Sequence, residues 1–378
     1  MAVLLAFVII AVACAMITIR NLVGYGDYKP RFKIFVAIVV FVGWFSVLPF
    51  YLLKEYDLLP DSMYGFVYHT VHYMLAFMFI LFVCLMLRDL VWFVIFRIFK
   101  IAGHASWNWD PSNSDKLNKA NILVILFTLV FCCYAAWQAT KLPNVVEINL
   151  SSDKITSSLR IAQISDLHLS RMSSVDRVRD VVSQVNLLNP DVIVLTGDII
   201  DDKIEKITPF LEQLRELSAP YGVFVVMGGQ EFHNNVYEAK KAFENNRMTF
   251  LFNGGVTIKN ANIFISGVPD YSTMSERINL WRTIYKSKKS NYHVLLSHSP
   301  LIVEALSKEL FDLVLAGHTH GGQFFPVHWF MQKVDHYLAG HYVVNGIDLF
   351  VSRGAGTWGP KMRLFAPADV AVFNLKAK

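Results

Sequence analysis

Before about residue 140 the chain holds four apolar runs, at residues 2–19, 34–53, 64–87 and 122–139. Each approaches or exceeds the roughly 20 residues that a helix needs to cross a bilayer. Four such runs separated by short polar loops read as spanning helices rather than core helices of a soluble fold. The chain is 54% hydrophobic and 17% charged, and nearly all of the excess lies in this front part. The first run has no basic start and no small-residue cleavage site before Arg20, so it reads as a retained anchor and not a signal peptide.

Loop charges set an expected orientation. The first loop carries Arg20, Lys29, Arg31 and Lys33, and the third carries Arg88, Arg97, Lys100, Lys116 and Lys119. The second has only Lys54 among Glu55, Asp57 and Asp61. Basic loops stay in the cytoplasm, so both chain ends are expected outside, in a multi-pass protein of a bacterial inner membrane with its polar domain extracytoplasmic. Residues 90–100, too short to span alone, are expected to form an interfacial helix or an extension of the third span. The expected division is a transmembrane region at 1–142 and a polar domain at 143–378.

A net charge of +5 with no Lys/Arg block and no basic stripe excludes nucleic acid as a partner class. All four cysteines lie in the apolar runs, which leaves the polar part without a thiol metal pair or a disulfide framework. No motif speaks to the oligomeric state.

From about residue 145 short β-rich runs alternate with amphipathic segments, the pattern of an α/β domain. Candidate strands lie at 160–164, 192–195, 223–226, 263–266, 294–296 and 313–315, with helices at 175–188 and 207–217. The residues able to do chemistry cluster just past four of these strands. Ser165-Asp166-Leu167-His168, Thr196-Gly197-Asp198, Ser297-His298 and Gly317-His318-Thr319-His320 each begin where a strand ends, and strand carboxyl ends are where α/β sheets present their sites. In extended chain, Asp-x-His and His-x-His would point both side chains to one side. Carboxylates with imidazoles suit borderline divalent ions such as Mn²⁺, Fe²⁺ or Zn²⁺. A lone histidine at a strand end is more often structural, but four such clusters together point to a metal site.

The order Asp-x-His, Gly-Asp, Ser-His, then Gly-His-Thr-His-Gly-Gly-Gln resembles the calcineurin-like metallophosphoesterases. The stretch from Ser352 to Pro360 and the helical front end resemble their membrane-anchored bacterial branch. The resemblance covers about residues 159–373 and implies a four-layer α/β sandwich with two divalent ions, Mn²⁺ first among them. It implies that Asp166, His168 and His320 hold one metal, that Asp198 bridges, and that His298 and His318 hold the second. Two such ions would neutralise a phosphate and activate a bridging water for attack on phosphorus.

One corner departs from the family. After the strand at 223–226 the family has Gly-Asn-His followed by Glu or Asp, its asparagine a metal ligand and its histidine the contact and acid for the leaving group. Here those places read Gly229 and Gln230. Three accounts fit: a deliberate alteration, natural divergence with reduced activity, or a rearranged loop in which His233 and Asn234 take over. Glutamine donates a hydrogen bond but no proton, so hydrolysis is expected to be slow. Glu231 either orients a neighbouring ligand or is solvated. Gly321 and Gly322 are expected to relieve crowding behind the histidine pair, and Asp191 to serve as a strand-start residue.

A domain tethered to a membrane favours a lipid or lipid-linked phosphate ester as substrate. Residues 324–331, rich in large apolar side chains and including Trp329, are expected either in the core or at a lipid. Arg353, Lys361 and Arg363 are expected phosphate contacts. The competing expectation is a degenerate scaffold that binds or senses phospholipid without turnover. A transporter is disfavoured, because the runs contain almost no ionisable residues beyond His69 and His72.

Overall fold

The computed structural model describes residues 2–56, 58–102, 114–271, 277–334 and 336–378. Asp57, counted above in the second loop, and the side chain of Asn234 lie outside the described residues. The chain forms two compact units, one of residues 1–136 with 359–361 and one of 137–358 with 362–378. The helical unit runs to residue 136, where the sequence placed its end at 142, and takes in the short segment from Gly359 to Lys361.

The helical unit contains α1 (Ala2–Ile19), α2 (Pro30–Phe45), α3 (Val47–Glu55), α4 (Asp61–Ile101) and α5 (Ser114–Thr140). Among the described residues, four segments are long and apolar enough to cross a membrane: Leu5–Gly24, Pro30–Glu55, Asp61–Ile101 and Lys116–Thr140. Small side chains let these helices approach. Ala11 and Ala15 of α1 are buried with Val40 and Trp44 of α2 and Met78, Leu81 and Leu85 of α4, and a Cβ on Gly43 would stand 2.5 Å from Met78 Cγ.

No separate interfacial helix comes after the third span among the described residues. Residues 90–100 continue α4, a single helix of 41 residues, roughly 60 Å at about 1.5 Å per residue. Its course past Arg88 and Asp89 is supported by a polar tie. Arg88 Nε donates to Asp89 Oδ1 at 2.9 Å, Asn21 Nδ2 donates to Asp89 Oδ2 at 2.8 Å, and Arg88 also reaches Asn121 of α5. With Asn121 Nδ2 donating to Leu22 O at 3.1 Å, three segments are joined there.

The second unit is a sandwich of two six-stranded sheets. One has the order β1 (Asn144–Ser152), β12 (Asp369–Ala377), β2 (Leu159–Ile164), β3 (Val192–Thr196), β4 (Val223–Val226), β5 (Met248–Phe250). The other runs β10 (Gly340–Val344), β11 (Ile347–Val351), β9 (Leu313–Ala316), β8 (Tyr292–Leu296), β7 (Ile263–Gly267), β6 (Gly254–Ile258). The neighbours β2, β3, β4 and β5 are parallel, as are β11, β9, β8 and β7. Parallel strands of this kind are covered on both faces and read as continuous apolar runs.

Alternation along each strand builds the layers. Val192 and Val194 of β3 face the other sheet and meet Ile265, Val294 and Leu315. Ile193 and Leu195 face outward onto α6 (Val175–Leu187), α7 (Ile204–Leu214) and α9 (Val236–Asn245) through Val182, Leu211 and Phe243. On the far side Leu295 and Val314 pack with Ile302, Val303 and Phe311. The result is helix, sheet, sheet, helix: the four-layer α/β sandwich. Each fully buried Val, Leu, Ile or Phe side chain contributes about 1.5–3 kcal/mol relative to exposure.

Candidate metal centre

The carboxyl ends of β2, β3, β8 and β9 bring the four sequence clusters into one place. Three hydrogen bonds join the loops after β2 and β3: Asp166 N to Gly197 O at 3.0 Å, His168 N to Asp198 O at 3.0 Å and Leu169 N to Ile199 O at 2.8 Å. Gly317 N donates to His298 O at 3.0 Å between the other two loops. The loop after β11 closes the arrangement, with Ala355 N on Ser165 O at 2.8 Å and Gly356 N on Asp166 O at 2.9 Å. Across the sandwich, buried Gln163 Nε2 donates to Thr196 Oγ1 and Ala316 O, both at 2.9 Å.

Two groups of ligand atoms converge within 4.8 Å, Asp166 with His168 and His320, and Asp166 with Asp198 and His298. His168 Nε2 faces His320 Nε2 at 2.8 Å, and His320 Nε2 is 3.5 Å from Asp166 Oδ1. Asp198 Oδ2 stands 3.2 Å from His298 Nε2 and 4.0 Å from His168 Nε2, so it faces a histidine of each group. Asp198 therefore lies between the two histidine groups, while Asp166 is the residue common to both convergent groups. Half-buried His318 joins through its Nδ1, 3.3 Å from His298 Nε2.

The ring orientations are set from behind. His298 Nδ1 is 2.9 Å from Thr196 O, an acceptor, so this nitrogen carries the proton and Nε2 presents its lone pair inward. His168 Nδ1 is 2.8 Å from Asp201 Oδ1, which turns its Nε2 inward in the same way. Asp201 was not legible as a site residue. Its signal is a carboxylate three positions after Asp198 in the same loop, held by Asp201 N donating to Leu169 O at 2.9 Å.

The candidate ligands do not sit in extended chain. Asp166, His168, Asp198, His318 and His320 have φ of 53°, 49°, 50°, 78° and 52°, in the left-handed region that costs non-glycine residues energy. The two-residue spacing therefore works through tight left-handed turns at the strand ends, which corrects the extended-chain expectation. Close approach also requires glycine. A Cβ on Gly197 would lie 2.7 Å from His298 Nδ1 and 2.7 Å from Gly228 N, and one on Gly228 would lie 2.8 Å from His298 Cδ2.

Electrostatics favour cations here. Burial pushes the Asp198 carboxyl up, but His298 and His168 outweigh it and hold the group well below the usual range. Burial would lower His168, yet Asp201, Asp198 and Asp166 raise it to about 9. Buried His320 is held neutral, well below its ordinary value, by desolvation and by the charges of His168 and Arg363. Dry carboxylates that draw positive charge onto His168, beside imidazoles whose Nε2 atoms face inward, fit two divalent ions, whose binding would displace the protons held there.

Residues 159–322 match the calcineurin-like phosphoesterase family model. A metallophosphoesterase of Helicobacter pylori is 31% identical over 266 residues, covering 68% of this chain and 71% of its own. This chain belongs to the calcineurin-like phosphoesterases. Another phosphoesterase, from Campylobacter jejuni, is 27% identical over 93% of this chain and 91% of its own. A zebrafish (Danio rerio) transmembrane protein with a metallophosphoesterase domain is 24% identical over 68% of this chain and 63% of its own. The chain is accordingly a hydrolase of phosphate esters, of a family that uses a dinuclear metal site, and its strand ends carry two candidate groups of metal ligands.

The divergent loop is tied to the site through its backbone. It forms α8 (Gly229–Asn234), and Gln230 N donates to Asp198 Oδ1 at 2.9 Å. Glu231 is fully buried and accepts from Asp198 N at 3.1 Å, Ile199 N at 2.6 Å, Ile200 N at 2.9 Å and Gly228 N at 2.8 Å. It orients the loop that carries Asp198 and is not solvated; burial and the Asp198 charge raise it to about 7. His233 is exposed on α8 and belongs to neither convergent group.

Arg363 corrects another expectation. It is fully buried, and its guanidinium donates to Gly356 O at 2.6 Å, Arg353 O at 2.8 Å, Ala366 O at 2.9 Å and Gly354 O at 3.1 Å. These bonds hold the glycine-rich loop behind His320, so no face of Arg363 is left for a phosphate. Arg353 is partly exposed, bonded to Asp369 at 3.3 Å and packed beside Gly321, where a Cβ would lie 2.9 Å from its Cγ. Gly322 is crowded by His328 in the same manner. Lys361 groups with the helical unit and not with the sandwich. Asp191 accepts from Arg160 N at 2.7 Å, a strand-start role as expected.

Proposed function

We propose that the phosphoesterase is anchored in a bacterial inner membrane and hydrolyses a phosphate ester or pyrophosphate of a lipid or lipid-linked substrate. The observation that carries this reading is an aromatic surface directly after His320. Trp329, Phe330, Phe365 and Trp358 are 59%, 69%, 57% and 56% exposed. Gln323 Nε2 donates to Trp358 O at 2.9 Å, Phe325 N donates to Leu364 O at 3.1 Å, and the Phe325 ring stands 5.2 Å from Trp329 and 6.0 Å from Phe365. An exposed aromatic group of this kind marks a binding surface, and amphipathic rings suit the boundary between acyl chains and water.

Asp166, His168, His320, Asp198, His298 and His318 would hold the two ions, with Mn²⁺ the proposed metal. Such ions polarise phosphate oxygens and lower the pKa of a bound water. Arg353 offers a guanidinium to the phosphate. Gln230 donates a hydrogen bond to it without supplying a proton, so the leaving group takes its proton from solvent, which keeps turnover slow. The missing asparagine oxygen at Gly229 weakens the second metal position. The same two positions motivate a second reading, a phospholipid binder without turnover.

Hydrolysis of vesicle phospholipids and of a soluble aryl phosphate by the full chain with Mn²⁺ tests both readings. The expected result is turnover abolished by His320→Ala, and a Trp329→Ala/Phe330→Ala variant whose KM rises at least tenfold on vesicles only. An equal change on both substrates removes the lipid reading. Binding without turnover, even after Gly229→Asn and Gln230→His, selects the binder.

A further inference from the structure

We propose that Gln323 is a positioning residue. It locks Trp358 in place beside the loop of His320, and through Trp358 it sets the affinity for a substrate that carries an apolar group next to its phosphate. The inference rests on the aromatic surface described above and extends it to a residue that acts through another.

The Gln323 amide is matched atom for atom to the main chain of Trp358. Its Nε2 donates to Trp358 O at 2.9 Å, and its Oε1 accepts from Trp358 N at 3.0 Å. A flipped amide would set donor against donor and acceptor against acceptor, so the pairing fixes its orientation. The side chain extends a short main-chain ladder, in which Leu364 N donates to Gln323 O at 2.9 Å and Phe325 N to Leu364 O at 3.1 Å. Gln323 N in turn donates to His320 O at 3.1 Å. One buried residue thus joins a candidate metal ligand to Trp358.

Two features give this link a positioning role. Trp358 is 56% exposed, so packing alone does little to hold it. Gln323 has φ of 41°, after Gly321 and Gly322 at 59° and 76°. A non-glycine residue is kept in such a conformation only where its surroundings outweigh the cost, and the amide pair and the ladder do so here. Without the pair Trp358 would populate other positions, and a ligand that needs the original one binds more weakly by the fraction that remains. Two neutral hydrogen bonds put that fraction at about one in ten to one in a hundred. A substrate with no apolar group makes less use of Trp358 and loses less.

The test is Gln323→Met, which keeps the length of the side chain and removes both bonds, in the full chain with Mn²⁺. Dihexanoyl phosphatidic acid and glycerol 3-phosphate share a phosphate monoester and differ in the acyl chains. The ratio of their KM values, or of their Kd values where turnover is too slow, should rise at least about fivefold. A merely structural defect in the loop of His320 would weaken both alike and leave the ratio unchanged. In 5-fluorotryptophan-labelled protein the ¹⁹F resonance of Trp358, assigned by its loss in Trp358→Phe, should move in Gln323→Met. An unmoved resonance overturns the proposal, as does a ratio that rises in Trp358→Ala but not in Gln323→Met. A ratio unchanged in both variants removes the aromatic-surface reading itself, and this inference with it. If Gln323→Met does not fold, Gln323→Glu, which sets an acceptor against Trp358 O, is read by the same two measurements.

Discussion

Asp201 Oδ1 lies 2.8 Å from His168 Nδ1, on the side of the imidazole opposite His320. The contact fixes which nitrogen of His168 is offered to the centre and keeps the ring from turning away. Such outer partners are worth about 10–100-fold in metal affinity. Asp201→Ala is therefore expected to weaken the tighter-binding metal by that factor, measured by competition with a chelator. Asp201→Asn, which keeps an acceptor at Oδ1, should recover much of the loss, whereas a purely steric role would not distinguish the two.

Restoring Gly229→Asn together with Gln230→His should raise turnover at least tenfold, since a positioned acid is worth about 10²–10⁴-fold. The Mn²⁺ concentration for half-maximal activity should fall in the same variant. The backbone bond from residue 230 to Asp198 is independent of side chain, so α8 should tolerate both changes. No change in rate with an intact fold would sink this account of the loop.

Arg363→Met should act on stability and not on substrate affinity. It strands the carbonyls of Arg353, Gly354, Gly356 and Ala366 in a site without water access. A buried carbonyl left without its donor costs about 1–3 kcal/mol. The thermal midpoint should drop by several degrees, while KM of the surviving folded fraction stays within twofold. A large KM change at constant stability would return Arg363 to the substrate.

His293 sets an acid limit on the sandwich. Its Nδ1 is 2.7 Å from Leu310 O and must carry the proton, while Nε2 accepts from Ser266 Oγ at 2.8 Å. Burial, with Lys154 nearby, lowers it to about 4 in spite of the Leu310 carbonyl and Asp312. The unfolded chain therefore binds a proton that the folded chain refuses between pH 6.5 and about 4. Stability must fall as pH drops through that window, by about 2 kcal/mol at pH 5. His293→Gln should flatten the difference in thermal midpoint between pH 7 and pH 5; a parallel decline in both proteins would refute the assignment.

The gathering of Asp166, His168, Asp198, His298, His318 and His320 in one place was legible because few side chains can serve as hard or borderline ligands, and all sit where strands end. The layers were legible for the same reason that Val192 and Ile193 can face different cores: a parallel strand covered on both sides is apolar throughout. Arg363 was misread because its burial arises only when residues 352–356 fold back onto Ser165 and Asp166, a closure with no local pattern. Asp201 was missed because its partner is distant in sequence. The continuity of α4 was left open, since Arg88 and Asp89 look like a span's end until Asn21 and Asn121 are seen to satisfy them.

Five of the six candidate ligand residues hold positive φ, each at about 1–3 kcal/mol above an ordinary backbone. Unfolding releases that energy, so the cation-free domain is the weaker fold, and ion binding is thermodynamically linked to folding. The cell would then meet metal starvation first as a shortage of folded enzyme, cleared by proteolysis, and only afterwards as slow catalysis. Abundance, more than specific activity, would report the metal supply.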